Sequence, residues 1–237
     1  MSLSAGFFGF YAHTGFMAAL EDEGLVPDGL SGSSAGALVS GLWAAGVDTD
    51  SIAERLLEVE RNDFWDPGMG AGLLEGRRFQ DLLRQYLPVT VFEQCRAPLQ
   101  ISVFELRSRK TRVIRTGRLA PAIHASCTFP GLFHPVRIDG RLFIDGGVLD
   151  RSGLAELPPG RVLYHHLSSR SKLRGRVPAI TGCPKRPGMV SIITENLPRV
   201  GPFKLKRGQH AFEHARAAMV AGLDRPVVAG GAPTIIG

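Results

Sequence analysis

Hydrophobic positions change period repeatedly along this chain. Met1 to Ala5 has room only for a strand stub before the turn AGFFG. From Tyr11 to Glu23 the spacing predicts an amphipathic helix that Gly24 stops. LVPDGLSG predicts a short strand, and Ala35 to Ala45 a helix ended by Gly46. DTDSIAERLLEVE predicts another helix, with Asp or Thr at its N-cap and acidic residues in its first turns. RRFQDLLRQYL keeps helical spacing, after which the period shortens to two. LQISVFEL and TRVIRT then predict strands joined by the tight turn RSRK. LAPAIHASCTF predicts a helix stopped at Pro130-Gly131, and PVRIDG with RLFIDGG predicts a hairpin around Asp139-Gly140. RVLYHHL and MVSIIT read as strands, and GQHAFEHARAAMVAGL as a late helix. Strands alternating with helices predict an α/β fold, a central mixed sheet covered by helices. At 237 residues the chain suits one domain over 1–237, with no internal repeat.

Composition narrows the class. With 44% hydrophobic and 21% charged residues, the chain is that of a folded globular protein. The longest mostly apolar run, Ala35 to Val47, is interrupted by Ser40 and three glycines and is too short to span a bilayer. The N-terminus lacks the basic region, apolar stretch and cleavage site of a signal peptide. Cys95, Cys127 and Cys183 are an odd number without CxxC spacing, which points away from a disulfide framework or zinc site and toward the cytoplasm. Charge is uneven: residues 1–150 carry 14 Lys and Arg against 18 Asp and Glu, and residues 151–237 carry 14 against 4. The basic stretches, 168–187 and 198–208, read either as a solvated face or as a surface for anionic lipid, making the protein peripheral to a membrane. They lack the interleaved aromatics that stack on bases, which argues against nucleic acid.

Chemistry concentrates in three glycine-bearing turns. In GSSAG, Gly32 and Gly36 flank Ser34 by two positions on each side, between a predicted strand and a predicted helix. A sharp turn of that kind exposes a nucleophilic hydroxyl, and the helix N-terminus favours developing negative charge. RLFIDGGVLDR ends a strand with Asp145, followed by Gly146 and Gly147. A carboxylate there can accept a serine proton. SAGFFG, residues 4–9, lies between the strand stub and the first helix, where backbone N–H groups of a turn can face an anion. It is neither a P-loop nor a dinucleotide fingerprint.

In this order and spacing, LSAGFFGFYAHTGFMAALEDEGL, GSSAGAL and ASCTFPGLFHPVRIDGRLFIDGG resemble the patatin-like phospholipases. The resemblance is strong over residues 3–150 and loose beyond. It implies a three-layer α/β/α fold and hydrolysis of lipid acyl esters by a Ser–Asp dyad that needs no cofactor and no metal. Ser34 falls on the family's nucleophile and Asp145 on its proton acceptor. The family's G-x-G-x-x-G oxyanion loop falls on residues 4–9, ending at Gly9, with Ala5, Gly6 and Phe7 as N–H donors. Ser4 stands in place of the first glycine, and Phe8 where many members carry Arg or Lys.

Two other readings compete. His165 and His166, which follow a predicted strand, or His210 and His214 on the late helix, offer a base for a Ser–His–Asp carboxylesterase. The altered loop also suits a catalytically silent protein that binds lipid or a partner. His13, in the first helix, reads as a packing or surface residue. The irregular FWDPGMGAGLL is either packed on the core or a cover for an acyl pocket, with Phe64 and Trp65 as acyl or interface contacts. Oligomeric state stays open.

Overall fold

Strands of the computed structural model, which describes residues 1–168, 182–225 and 234–236, join in one mixed sheet. They are β1 (Ser2–Leu3), β2 (Leu30–Ser33), β3 (Leu99–Glu105), β4 (Lys110–Ile114), β5 (Val136–Ile138), β6 (Arg141–Asp145), β7 (Val162–Leu167), β8 (Met189–Thr194) and β9 (Thr234–Ile236). β3, β2, β1, β7, β8 and β9 run parallel in that order, while β4 and β6 pair antiparallel with β3, and β5 with β6. The expected α/β fold with a central mixed sheet is what the chain forms, with β9 a strand the periodicity does not predict. Most of the basic stretch at 168–187 lies outside the described residues.

The pleat explains the two faces of the sheet centre, because alternate residues point to opposite sides. Leu3, Leu30, Leu99, Ile101 and Val103 join the main hydrophobic core. Their alternates are polar: Ser2, Ser31, Gln100 and Ser102, all bonded to the segment 150–155. Asp150 anchors that segment, accepting from the Ser102 hydroxyl and from the Leu154 and Ala155 N–H groups.

The described α-helices are α1 (Phe10–Asp22), α2 (Ala35–Ala44), α3 (Thr49–Glu58), α4 (Arg61–Phe64), α5 (Arg77–Tyr86), α6 (Leu119–Cys127) and α7 (Gly208–Leu223). Asp48 caps α3 by accepting from the Ser51 N–H at 2.8 Å. α1 differs from the amphipathic helix its sequence predicts, since every residue from Tyr11 to Leu20 is buried. The physical reason is α7, which packs on the side of α1 that would otherwise face water. Gly15 makes that approach possible: a Cβ there would lie 2.9 Å from the Phe212 carbonyl carbon.

The segment 64–74 is tied to the core at its C-terminal end. Leu73 and Leu74 donate to the Gly131 and Leu132 carbonyls, His134 donates back to Leu74, and Leu74 is fully buried. The two ends of FWDPGMGAGLL pack, through Phe64 and Leu74, while Met69 and Leu73 between them stay exposed.

Candidate active site

The register of β3 brings the two chemistry-bearing turns together. Leu99–Ser102 pair with β2, and Val103–Glu105 pair with β6. β4 occupies the opposite edge of β3 over Ile101–Glu105, so β2 and β6 share one edge and abut end to end. Ser33 lies opposite Ser102, and Asp145 lies opposite the next residue, Val103. Ser34, one step beyond the end of β2, therefore meets Asp145. Its Oγ donates to Asp145 Oδ2 at 2.6 Å.

Ser34 has φ 53° and ψ −120°, a conformation that costs a non-glycine residue about 1–3 kcal/mol. Neighbouring contacts hold it there. Its N–H donates to Ser126 Oγ at 2.9 Å, Ser126 Oγ donates to the Ser102 carbonyl at 2.7 Å, and Cys127 Sγ donates to the Ser34 carbonyl at 3.2 Å. Ser126 is absent from the sequence reading. Its one signal is a small polar residue on a mostly apolar helical stretch, which is common in helices.

Asp145 is itself oriented: Oδ1 accepts from the Gly147 N–H at 2.7 Å, and its own N–H donates to the Thr128 carbonyl. The motif glycines are the points where the turns touch. A Cβ on Gly32 would fall 2.5 Å from Gly36, and one on Gly36 would fall 2.6 Å from the Leu3 carbonyl carbon. On Gly146 it would sit 2.7 Å from the Ser102 carbonyl carbon, and on Gly147, 2.7 Å from Ala5 Cβ. Gly6 and Gly9 both lie against the Leu167 side chain of β7.

The loop at 5–7 borders the same space, with one correction to the expected donors. The Ala5 N–H is already engaged, donating to the Arg151 carbonyl at 2.7 Å, because residue 151 runs alongside the end of β1. Gly6 and Phe7 keep N–H groups without an acceptor among the described residues. Phe8 adopts φ 54° and turns its ring into the aromatic group of Phe10 and Phe64.

Ser34 and Asp145 open into a pocket of about 220 Å³. Its walls are apolar, with Leu38, Leu56, Val59, Phe79, Leu82 and Phe133 among them. Phe64 lines it and is buried; Trp65 does not, packing instead on Phe203 with Arg61 over both rings. Phe7, Phe129 and Val148 line the pocket and remain exposed.

Among the described residues, no histidine lines the pocket. His165 and His166 lie within β7 rather than after it, and both are buried. His13 is fully buried, His210 is exposed, and His214 bonds to the Glu195 carbonyl. Among the described residues, no group of His, Cys, Asp and Glu is arranged to hold a metal ion, and no helix is long and apolar enough to cross a membrane.

Fold and site together define a class of α/β protein, one in which an elbow serine faces a carboxylate across abutting strand ends. Within it, the chain belongs to the patatin-like phospholipase family, whose model matches residues 1–157. An uncharacterised NTE family protein of Mycobacterium bovis is 33% identical over 161 residues, 66% of this chain and 44% of its own length. A lysophospholipase of Cryptococcus neoformans is 27% identical over 155 residues, covering 62% of this chain and 9% of the relative. This chain thus spans less than half the length of these relatives. Among solved structures, VipD from Legionella pneumophila shares the fold with a TM-score of 0.66 at 14% identity, over 94% of this chain and 66% of VipD.

Proposed function

We propose that this chain hydrolyses acyl esters of lipids with Ser34 as nucleophile and Asp145 as its base. The observation that carries the reading is the 2.6 Å hydrogen bond from Ser34 Oγ to Asp145 Oδ2 at the edge of an apolar pocket. Family membership and a relative named as a lysophospholipase support the same chemistry. With an acyl chain in the pocket, Ser34 Oγ attacks the ester carbonyl as its proton passes to Asp145. Negative charge on the carbonyl oxygen is met by the Gly6 and Phe7 N–H groups and the α2 N-terminus. The proton then goes to the leaving alcohol. Water, deprotonated by Asp145, attacks the acyl carbon, and that proton passes to Ser34 Oγ as the acid leaves; an alcohol in place of water gives acyl transfer. The dyad is preferred over the Ser–His–Asp alternative because no histidine among the described residues lines the pocket. An anionic lipid surface would meet the exposed Lys204, Lys206 and Arg207 beside the Phe203 ring.

Labelling with an alkyl phosphonate and turnover of a p-nitrophenyl acyl ester test this. Ser34→Ala should lose both, and Asp145→Asn should lower kcat by about 10²–10⁴. Ser33→Ala should keep activity, because Ser33 Oγ is buried without a hydrogen-bond partner among the described residues. An unlabelled wild type, or an active Ser34→Ala, would refute the assignment.

A further inference from the structure

Two buried histidines outside the pocket meet the loop before the candidate oxyanion donors. His13 on α1 and His165 on β7 are both fully buried, and their Nδ1 atoms lie 2.9 Å apart. His13 Nε2 is 2.7 Å from the Ser4 carbonyl oxygen, and His165 Nε2 is 3.0 Å from Thr194 Oγ1 on β8. Phe16 stacks on the His165 ring at 4.0 Å.

One fixed acceptor decides every proton in this chain of contacts. A carbonyl oxygen only accepts, so His13 Nε2 carries a hydrogen. A neutral His13 then has a bare Nδ1, which requires a hydrogen on His165 Nδ1. His165 Nε2 is in turn bare and requires the Thr194 hydroxyl to donate. Burial keeps both rings neutral, holding His13 at about 3 and His165 well below the ordinary range, while neighbouring His166 and Arg151 oppose a further positive charge.

We propose that His13 and His165 are positioning residues: a one-way relay, Thr194 to His165 to His13 to the Ser4 carbonyl, fixes the backbone that presents the Gly6 and Phe7 N–H groups. The inference rests on the hydrolase reading above. Its force comes from how completely residue 4 is tied. The Ser4 N–H donates to the His165 carbonyl, Ser4 Oγ accepts from the Leu167 N–H, and the Ser4–Ala5 peptide is held at its oxygen by His13 and at its N–H by Arg151. Beyond that peptide, the loop has two glycines in four residues and little of its own to set its torsions. The hydroxyl that replaces the family's first glycine is thus part of the anchor, extending the two-residue β1 by one more bond to β7.

The test compares wild type with His13→Leu, His13→Gln and Thr194→Val. His13→Leu should lower kcat by about 30- to 100-fold, the scale of a donor displaced by about 1 Å, with KM within about threefold. Affinity for an alkyl boronic acid, which forms a tetrahedral adduct on Ser34, should fall by a similar factor, and affinity for an unreactive long-chain alcohol should not. His13→Gln, which keeps an N–H for the Ser4 carbonyl, should recover most of the loss. Should His13→Leu fail to fold, Thr194→Val alters only the far end, and kcat should still drop several-fold. Ring-nitrogen NMR of the wild type should show neutral His13 with its hydrogen on Nε2 and neutral His165 with its hydrogen on Nδ1. The opposite tautomers, or variants whose kcat, boronate and alcohol affinities all stay at wild-type values or fall together, would overturn the proposal. If the wild type turned over no ester, the hydrolase reading would fall, and the ring spectra alone would decide the relay.

Discussion

Gly36 and Gly41 sit on the same helix, α2, and offer opposite outcomes for one chemical change. Replacing either by Ala gains up to about 1 kcal/mol of helix propensity. At Gly41 the new Cβ would meet the Ile123 side chain, 2.5 Å from its Cδ1 and 3.0 Å from Cγ1. That terminal methyl can rotate away, so Gly41→Ala should change stability by less than about 1 kcal/mol. At Gly36 the new Cβ would meet Leu3 backbone, 2.6 Å from its carbonyl carbon. Leu3 belongs to β1, which is bonded to β2 on one side and β7 on the other, and cannot rotate away. The helix or the strand must shift by about 1 Å, at the upper end of the 1–3 kcal/mol that overpacking costs, or above it. Gly36→Ala should therefore be destabilising by about 2–3 kcal/mol, a fall of about 4–12 °C in Tm for a chain this size. The same shift would move Ser34 relative to the loop that follows Leu3, so ester turnover should drop more than stability alone explains. Thermal unfolding followed by near-ultraviolet circular dichroism, with p-nitrophenyl ester turnover at 20 °C, measures both. Equal Tm values for the two variants, or a Gly36→Ala protein as stable as wild type, would refute the steric reasoning.

Two further outcomes follow from the pocket and from the buried histidines. Leu82→Trp adds bulk to one apolar wall and should shift the preferred p-nitrophenyl ester to shorter acyl chains, with turnover of the shortest esters kept within about threefold; an unaltered chain-length profile would mean that acyl chains do not occupy this space. Burial lowers His124 to about 4, His13 to about 3 and His165 well below the ordinary range, so these rings stabilise the fold above the unfolded value of about 6.5, and that stability is lost as pH falls toward their folded values. Each contributes up to about 1.4 kcal/mol per pH unit below 6.5; since neither His124 ring nitrogen has a hydrogen-bond partner among the described residues, His124→Met should reduce the slope of unfolding free energy between pH 6 and 4.5 by about that amount, and an unchanged slope in urea titrations would contradict it.

Local chemistry was the legible part of this chain. The elbow at Ser34, the Asp145-Gly146-Gly147 turn and the Asp139-Gly140 hairpin are each written within a few residues, because a left-handed φ or a tight backbone approach selects glycine, asparagine or aspartate nearby. The elements on either side followed from their periods. What stayed hidden depends on partners far along the chain. α1 looks amphipathic until α7, some 190 residues later, covers its remaining side with Ala211, Ala215 and Met219. Phe64 reads equally as an interface anchor or a core residue, and only its neighbours Phe8 and Phe133 make it pocket wall. Ala5 has a loop N–H like its neighbours, and its loss as a donor depends on where residue 151 happens to run.

The pairing of Ser34 with Asp145 is the clearest case of a site that no single motif contains. A parallel sheet alone would bring strand ends to one edge with all chains running the same way, so no second strand could end head-on against β2. The antiparallel hairpin of β5 and β6 supplies that reversed direction, and β3, two residues longer than β6, is long enough to pair with both in turn. β2 ends at Ser33 and β6 at Asp145 because each reaches the other, and glycine at 146 lets the chain turn away across the Ser102 carbonyl. A one-residue slip of β6 along β3 would reverse which face Asp145 points to and separate the carboxylate from the hydroxyl. The change from parallel to antiparallel pairing on one edge of β3 is therefore what converts two common turns into a site.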